Sequence, residues 1–242
     1  MIYLTGDTHG DFEKWQNEIE PVLKQGDILI VCGDFGYCFS CKTDREEEAF
    51  FDTVAEKDIT VLFIDGNHEN FARLEAYSED ERFGGRVHVL RKNIFHLMRG
   101  EIFNIEGKTV FAFGGGYSLD KPWRTENISW WQREMPSGEE YDNAEAKLKN
   151  ADYAVDYIIT HTAPYESIYY LSTKRCFGIK GDVEEELPLG TFLDTVQQRV
   201  SYKHWYFGHL HIDTDIWRSQ TAVYNSLYEL ESGRLVSRWE EY

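Results

Sequence analysis

In Thr60-Val61-Leu62-Phe63-Ile64-Asp65-Gly66-Asn67-His68-Glu69 a β-prone apolar run stops abruptly at Gly-Asn. A run bounded this way predicts a buried strand ending in a tight turn. The turn sets an amide oxygen, an imidazole and a carboxylate side by side at the carboxyl end of a strand. In open α/β sheets those ends are where the chemistry sits.

The same pattern occurs twice upstream. Residues 2–4 read as a short strand closed by Gly6-Asp7-Thr8-His9-Gly10-Asp11, and residues 27–32 as a second one closed by Gly33-Asp34-Phe35-Gly36. Between them Phe12, Trp15, Ile19, Val22 and Leu23 recur at helical spacing, with Asp11 placed to cap and Pro21 to kink or end the helix. Residues 45–57 form an amphipathic helix that buries Phe50, Phe51, Val54 and Ala55. This alternation predicts βαβ units and a mostly parallel sheet, with the three polar turns along one edge.

Downstream, residues 87–90, 102–105 and 109–113 read as short strands, the last two joined by a hairpin turn at Glu106-Gly107-Lys108. Ser137-Gly138-Glu139-Glu140 has capping-box spacing and starts a helix that runs to about residue 150. Residues 155–160 form a strand running into His161, 189–200 a helix, and 204–207 a strand meeting Gly208-His209-Leu210-His211. Residues 214–217 and 222–225 alternate as β. Two stretches, 117–138 and 162–188, read as irregular insertions. No repeat or low-complexity linker divides the chain, so 1–242 is read as one domain.

Of 242 residues, 42% are hydrophobic and 15% aromatic, enough for a packed core. Lys plus Arg number 25 against 43 Asp plus Glu, a formal net charge of -18. That balance argues against a broad nucleic-acid surface or an anionic membrane as partner. No apolar run approaches the roughly 20 residues of a membrane span, and the first residues lack a basic, cleavable leader, so a cytoplasmic location is expected. Four cysteines, Cys32, Cys38, Cys41 and Cys176, are too unevenly placed for a disulfide framework.

Five strand ends thus carry metal-capable side chains: Asp7 and His9, Asp34, Asn67 with His68, His161, and His209 with His211. Asp-x-His and His-x-His put both donors on one side of an extended segment. The set mixes imidazole nitrogen with carboxylate and amide oxygen and has no cysteine, which suits Mn, Fe or Zn. Seven donors exceed one tetrahedral site; with Asp34 bridging they fill two and leave positions open for water and substrate. Two ions about 3.5–4 Å apart clamp the attacking and leaving oxygens of a phosphoryl displacement.

Taken in order, Asp-x-His, Gly-Asp, Gly-Asn-His-Glu, a lone His after a strand, and Gly-His-x-His resemble the calcineurin-like metallophosphoesterases, over residues 7–211. The resemblance implies an α/β fold, a four-layer αββα sandwich with two mixed central sheets flanked by helices. It implies two divalent transition-metal ions, one held by Asp7, His9 and His211, the other by Asn67, His161 and His209, with Asp34 between them. It further implies in-line attack of a metal-bound hydroxide on a small phosphate ester, monoester or diester, nucleotides included. His68 would then be the proton donor to the leaving oxygen, a role suited to imidazole.

The pattern departs from the phosphoprotein phosphatase branch, where the second block continues Gly-Asp-x-x-Asp-Arg-Gly and an Arg precedes Gly-Asn-His-Glu. Here Tyr37-Cys38 and Asp65 stand at those places. The carboxylate that orients the catalytic histidine and the arginines that grip phosphate are both missing, and a Ser/Thr phosphatase is demoted. A non-catalytic scaffold that keeps the fold is the rival from another class, and an intact His68 speaks against it.

Other residues take plainer readings. His88, His96 and His204 fall outside the pattern and read as surface or satisfied core histidines. Cys38 and Cys41 have Cys-x-x-Cys spacing but no second pair, so they read as ordinary thiols, and Cys32 as core. In the Trp/Arg stretch Trp123, Arg124, Trp130 and Trp131, a lid competes evenly with a satellite hydrophobic cluster. Arg124, together with Asn67, is the substrate-binding candidate, and Lys174, Arg175 and Lys180 are the rival phosphate grip. The acidic runs 46–48 and 184–186 read as solvated faces, and Glu69 as a residue that starts the next helix or steadies the loop.

Overall fold

The computed structural model describes residues 1–39, 45–174 and 186–239. In chain order its elements begin with β1 (Ile2–Thr5), α1 (Phe12–Lys14, continuing as a π-helical turn over Trp15–Ile19), β2 (Ile28–Val31), α2 (Arg45–Glu56), β3 (Thr60–Phe63) and α3 (Phe71–Leu74). Then come β4 (Ser78–Arg82), β5 (Gly85–Arg91), β6 (Ile94–Leu97), β7 (Glu101–Ile105), β8 (Lys108–Phe113), α4 (Gly138–Asn150) and β9 (Tyr157–Thr160). The chain continues with α5 (Tyr165–Thr173), α6 (Leu187–Arg199), β10 (His204–Phe207), β11 (Thr214–Ile216), β12 (Gln220–Ala222), β13 (Ser226–Glu229) and β14 (Leu235–Arg238).

The strands form two mixed sheets. One has the order β14-β13-β1-β2-β3-β6-β5-β4, the other β11-β12-β10-β9-β8-β7. The centre of each is parallel: β1, β2, β3 and β6 in the first, β8, β9, β10 and β12 in the second. Antiparallel strands close the edges.

Side-chain alternation along these strands sets the layers. Leu4, Ile30 and Leu62 face the second sheet, meeting Phe103, Val110, Tyr157, Ile159 and Tyr206 in the central core. Their neighbours Tyr3, Leu29, Val31, Val61 and Phe63 face the other way, onto Trp15, Ile19, Phe50, Phe51, Val54 and Leu74 of the flanking helices. The second sheet does the same with Phe111, Phe113, Ile158, Trp205 and Phe207 against α4, α5 and α6. Helix, sheet, sheet, helix is the four-layer arrangement expected. Each fully buried Leu, Ile or Phe contributes about 1.5–3 kcal/mol, so doubly buried strands carry much of the stability.

Local signals account for the helix ends. Asp11 accepts from the backbone N–H of Lys14 at 3.0 Å, and the Ser137–Glu140 capping box is complete. The hairpin turn has Glu106 and Gly107 both at positive φ. Asn70, rather than Glu69, caps α3.

Some elements differ from expectation. β4 is exposed and polar along its whole length, so no alternation announces it; pairing with β5 makes it a strand. β6, β13 and β14 also went unread. The stretch 162–188 is not irregular throughout, because α5 lies within it and α6 begins at Leu187. The strand expected at 222–225 ends at Ala222, and the chain then crosses to pair with β1 as β13. Among the described residues no helix is long and apolar enough to cross a membrane.

Candidate metal centre

In-register parallel pairing aligns the carboxyl ends of β1, β2 and β3, with Thr5 beside Val31 and Val31 beside Phe63. In the other sheet Thr160 of β9 lies beside Phe207 of β10. The five polar turns therefore emerge along one rim of the sandwich. Their backbones are unusual. Asp7, His9, Asp34, His209 and His211 all lie at positive φ, between 45° and 66°. Gly66 lets the third turn close tightly, since a Cβ there would stand 2.1 Å from Asp34 Oδ1.

Asp7, His9, Asp34 and His211 bring one donor atom each to within 4.8 Å of one another. His9 Nε2 lies 3.0 Å from His211 Nε2 and 3.8 Å from Asp34 Oδ2. His211 Nε2 is 3.6 Å from Asp7 Oδ1. On the other side of Asp34, His161 Nε2 is 3.4 Å from Asp34 Oδ1 and 3.0 Å from Asn67 Oδ1. His209 packs against His161 with ring centroids 4.8 Å apart. Its Nε2 lies 3.3 Å from Glu186 Oε1. Six of the seven expected donors thus bring donor atoms together around Asp34, and the His209 ring packs beside them.

Asp7, Asp34, Asn67 and His161 are buried. Burial and the neighbouring Asp34 charge push Asp7 well above the usual carboxylate range. Burial also opposes the charge on Asp34, but His161, His68 and His9 around it hold that carboxyl below the ordinary range. Burial lowers His9 and His161 to about 4, so both are neutral at pH 7. Burial likewise works against His209, yet the Glu186 carboxylate raises it to about 9.

The donor chemistry tests whether a cation fits. His161 Nδ1 faces the carbonyl of Cys32 at 3.0 Å, which can only accept, so the imidazole proton sits there. Nε2 is then a bare lone pair aimed at another acceptor, the Asn67 oxygen. Two acceptors 3.0 Å apart repel, and so do two buried carboxylates. A divalent ion with mixed nitrogen and oxygen ligands satisfies both pairs at once. The residues fit.

His68 lies beside this cluster. Its backbone N–H donates to Asp34 Oδ1 at 2.7 Å, and its ring meets His9 edge-on at 5.2 Å. The ring nitrogens face Arg124, with Nη2 at 3.0 Å from Nε2 and Nη1 at 3.3 Å from Nδ1. Asp120 and the carbonyl of Ser129 hold that guanidinium in place. Arg124 thus lies against His68 at the edge of the donor cluster. Burial lowers the His68 pKa, with Arg124 adding to the effect against Asp34.

Asp65 turns away from the rim. Buried, it pairs with Arg99 at 2.5 Å and His96 at 3.0 Å, and His96 in turn meets His88 at 2.9 Å. His88 and His96 are thus satisfied core residues, and His204 bonds Thr221. Glu69 accepts from the backbone N–H of Phe35 at 2.7 Å and steadies the turn after β2. Cys32 and Cys38 are buried thiols. Trp131 is buried and Trp130 stacks under Lys121, while Trp123 is 84% exposed, so the stretch is part cluster and part rim. Lys174 closes α5 beside Tyr170. Cys41, Cys176, Arg175, Lys180, Glu184 and Glu185 lie outside the described residues.

Two acidic residues do not belong to solvated faces. Glu47 is buried against Arg73, and Glu186 is buried against His209. Sequence reading also passed over Ser118 and Glu134. Ser118 accepts from Asn67 Nδ2 at 3.1 Å and donates to Glu134 at 2.7 Å. A capping or periodic signal would have marked them, and none exists in that stretch.

The structure is similar to the crystal structure of TT1561 of Thermus thermophilus, with a TM-score of 0.51, 14% identity, and coverage of 97% of this chain and 96% of that one. At that identity the likeness speaks to the fold alone. No curated protein matches the sequence. The family model for calcineurin-like phosphoesterases matches residues 1–213, a span that contains every donor of the rim. The chain belongs to the calcineurin-like phosphoesterase family.

Proposed function

We propose that the protein is a metal-dependent phosphoesterase that hydrolyses a small phosphomonoester or phosphodiester, with nucleotides among the candidates. The observation that supports it is the sharing of Asp34 between two donor sets. Asp7, His9 and His211 would hold one divalent ion, and Asn67, His161 and His209 the other, with Mn, Fe or Zn suited to these ligands. Such ions supply Lewis-acid charge to the oxygens around phosphorus.

The chain's own groups do the rest. His68 stands at the edge of the donor cluster, where its imidazole, once protonated and turned from the Arg124 guanidinium, can give its proton to the leaving oxygen. Arg124, fixed by Asp120, offers planar donors for a non-bridging phosphate oxygen beside His68. Asn67 Nδ2 keeps one N–H beyond the one it gives to Ser118, a further donor that a phosphate oxygen would take up. On the His9 side a cleft of about 420 Å³ is lined by Asp11, Glu13 and Glu18 together with His9 and Lys14.

The test is turnover of p-nitrophenyl phosphate and its bis ester by Mn²⁺-loaded protein. Asp34→Asn should lose metal and activity together. His68→Asn should keep its metal and lose about 10²–10⁴-fold in kcat. Wild-type protein that turns over neither ester with Mn, Fe or Zn would point instead to a scaffold of the same fold.

A further inference from the structure

Asn67 has two faces, an oxygen and an NH₂ group, and only the oxygen can ligate a cation. Something must choose between them. Next to its amide lies a buried chain of two more side chains, Ser118 and Glu134, both in the stretch between β8 and α4. Glu134 Oε1 accepts from the backbone N–H of Ser118 at 3.3 Å, and Oε2 accepts from the Ser118 hydroxyl at 2.7 Å. A serine hydroxyl has a single proton. Once the carboxylate has taken it, the oxygen is left as an acceptor only. It then requires a donor from Asn67, and Nδ2 lies 3.1 Å away. That choice turns Oδ1 toward His161 Nε2, 3.0 Å away.

We infer that Ser118 and Glu134 are positioning residues: their hydrogen-bond relay fixes which face of the Asn67 amide is presented to the metal centre. This rests on the reading of Asn67 as a ligand. The same stretch of chain also places Arg124 over His68, so it is fastened to two consecutive residues of the Gly-Asn-His-Glu turn. Ser118 and Glu134 are both buried, and each acts through Asn67.

The polarity of the relay makes the inference testable by an isosteric change. In Glu134→Gln the Ser118 N–H holds the amide oxygen, so the new NH₂ points at the Ser118 hydroxyl. The hydroxyl then donates to Asn67 and selects the opposite face. Mn²⁺ titration by calorimetry of wild type, Glu134→Gln, Ser118→Ala and Ser118→Thr reads this directly. Wild type should show two binding events. Glu134→Gln and Ser118→Ala should each keep one and weaken the other by about 10–100-fold, with Ser118→Thr resembling wild type. Thermal melts of the metal-free variants separate this from misfolding, and if Glu134→Gln fails to fold, Ser118→Ala decides. Titrations of both variants identical to wild type would overturn the relay. A wild type that takes up no metal would instead bring down the proposed function, and the relay with it.

Discussion

Five of the twelve non-glycine residues at positive φ among the described residues converge at the rim. A left-handed conformation costs a non-glycine residue about 1 kcal/mol or more, and Asp7, His9, Asp34, His209 and His211 all adopt it. Polar residues such as Asp and His bear that cost better than branched ones do. Five such residues on three turns persist only because the strands beneath them are fully packed. Arg124 is the residue-scale test of how substrate is held. Its guanidinium is fixed by Asp120 and lies against His68; under the proposed function its removal deletes a charge-assisted contact to phosphate. Such contacts are worth about 1.5–3 kcal/mol, so Arg124→Ala should lower kcat/KM about 10–150-fold on either p-nitrophenyl ester. The Mn²⁺ content should stay unchanged. An unaltered kcat/KM would remove Arg124 from substrate binding.

At the scale of elements, the parallel strands do the positioning, and polar clips hold their far ends in register. Asp156, just before β9, accepts from the backbone N–H and the hydroxyl of Thr109 in β8 at 2.8 and 3.0 Å, and pairs with Lys203 at 2.8 Å. The Lys203 contact and the Thr109 backbone bond lower its pKa from 3.8 to about 2. A carboxyl depressed in the folded state adds stability above its unfolded pKa and loses it as pH falls. That contribution, about 1 kcal/mol after solvent screening, should therefore be complete above about pH 4 and fade between about 4 and 2. Asp156→Asn should lower the melting temperature at pH 7 but leave it little changed at pH 2, as calorimetry across that range would show. An equal loss at both pH values would mean that packing, not charge, is at stake. The elements announced by sequence are those with an apolar run, a period or a capping signal: β1 to β3, β5, β7 to β11, α1, α2, α4 and α6. β4 carries none, because five exposed polar residues become a strand only through the backbone of β5.

Over the whole molecule, the donor set was legible because each member follows an apolar strand at a glycine-bearing or strand-end turn. Ser118, Glu134 and Glu186 were not, since they reach the centre from irregular chain by contacts distant in sequence: Asn67 to Ser118, and His209 to Glu186. The global charge bears on the same centre. A chain of net charge -18 that buries Asp7 and Asp34 together works against its own folding. A divalent ion bound there neutralises the pair in the folded state, whereas the unfolded chain offers no assembled site. Linkage then raises stability by about 2.7 kcal/mol per ion at 100 times its dissociation constant. For a chain of this length that corresponds to about 5–10 °C in melting temperature. Mn²⁺ should produce such a rise in protein first stripped with a chelator, while NaCl of matched ionic strength should produce much less. Asp34→Asn, which weakens both donor sets, should abolish most of the Mn²⁺ response. A wild-type melt that moves equally with Mn²⁺ and with matched NaCl would show that the response is general screening rather than occupation of the centre.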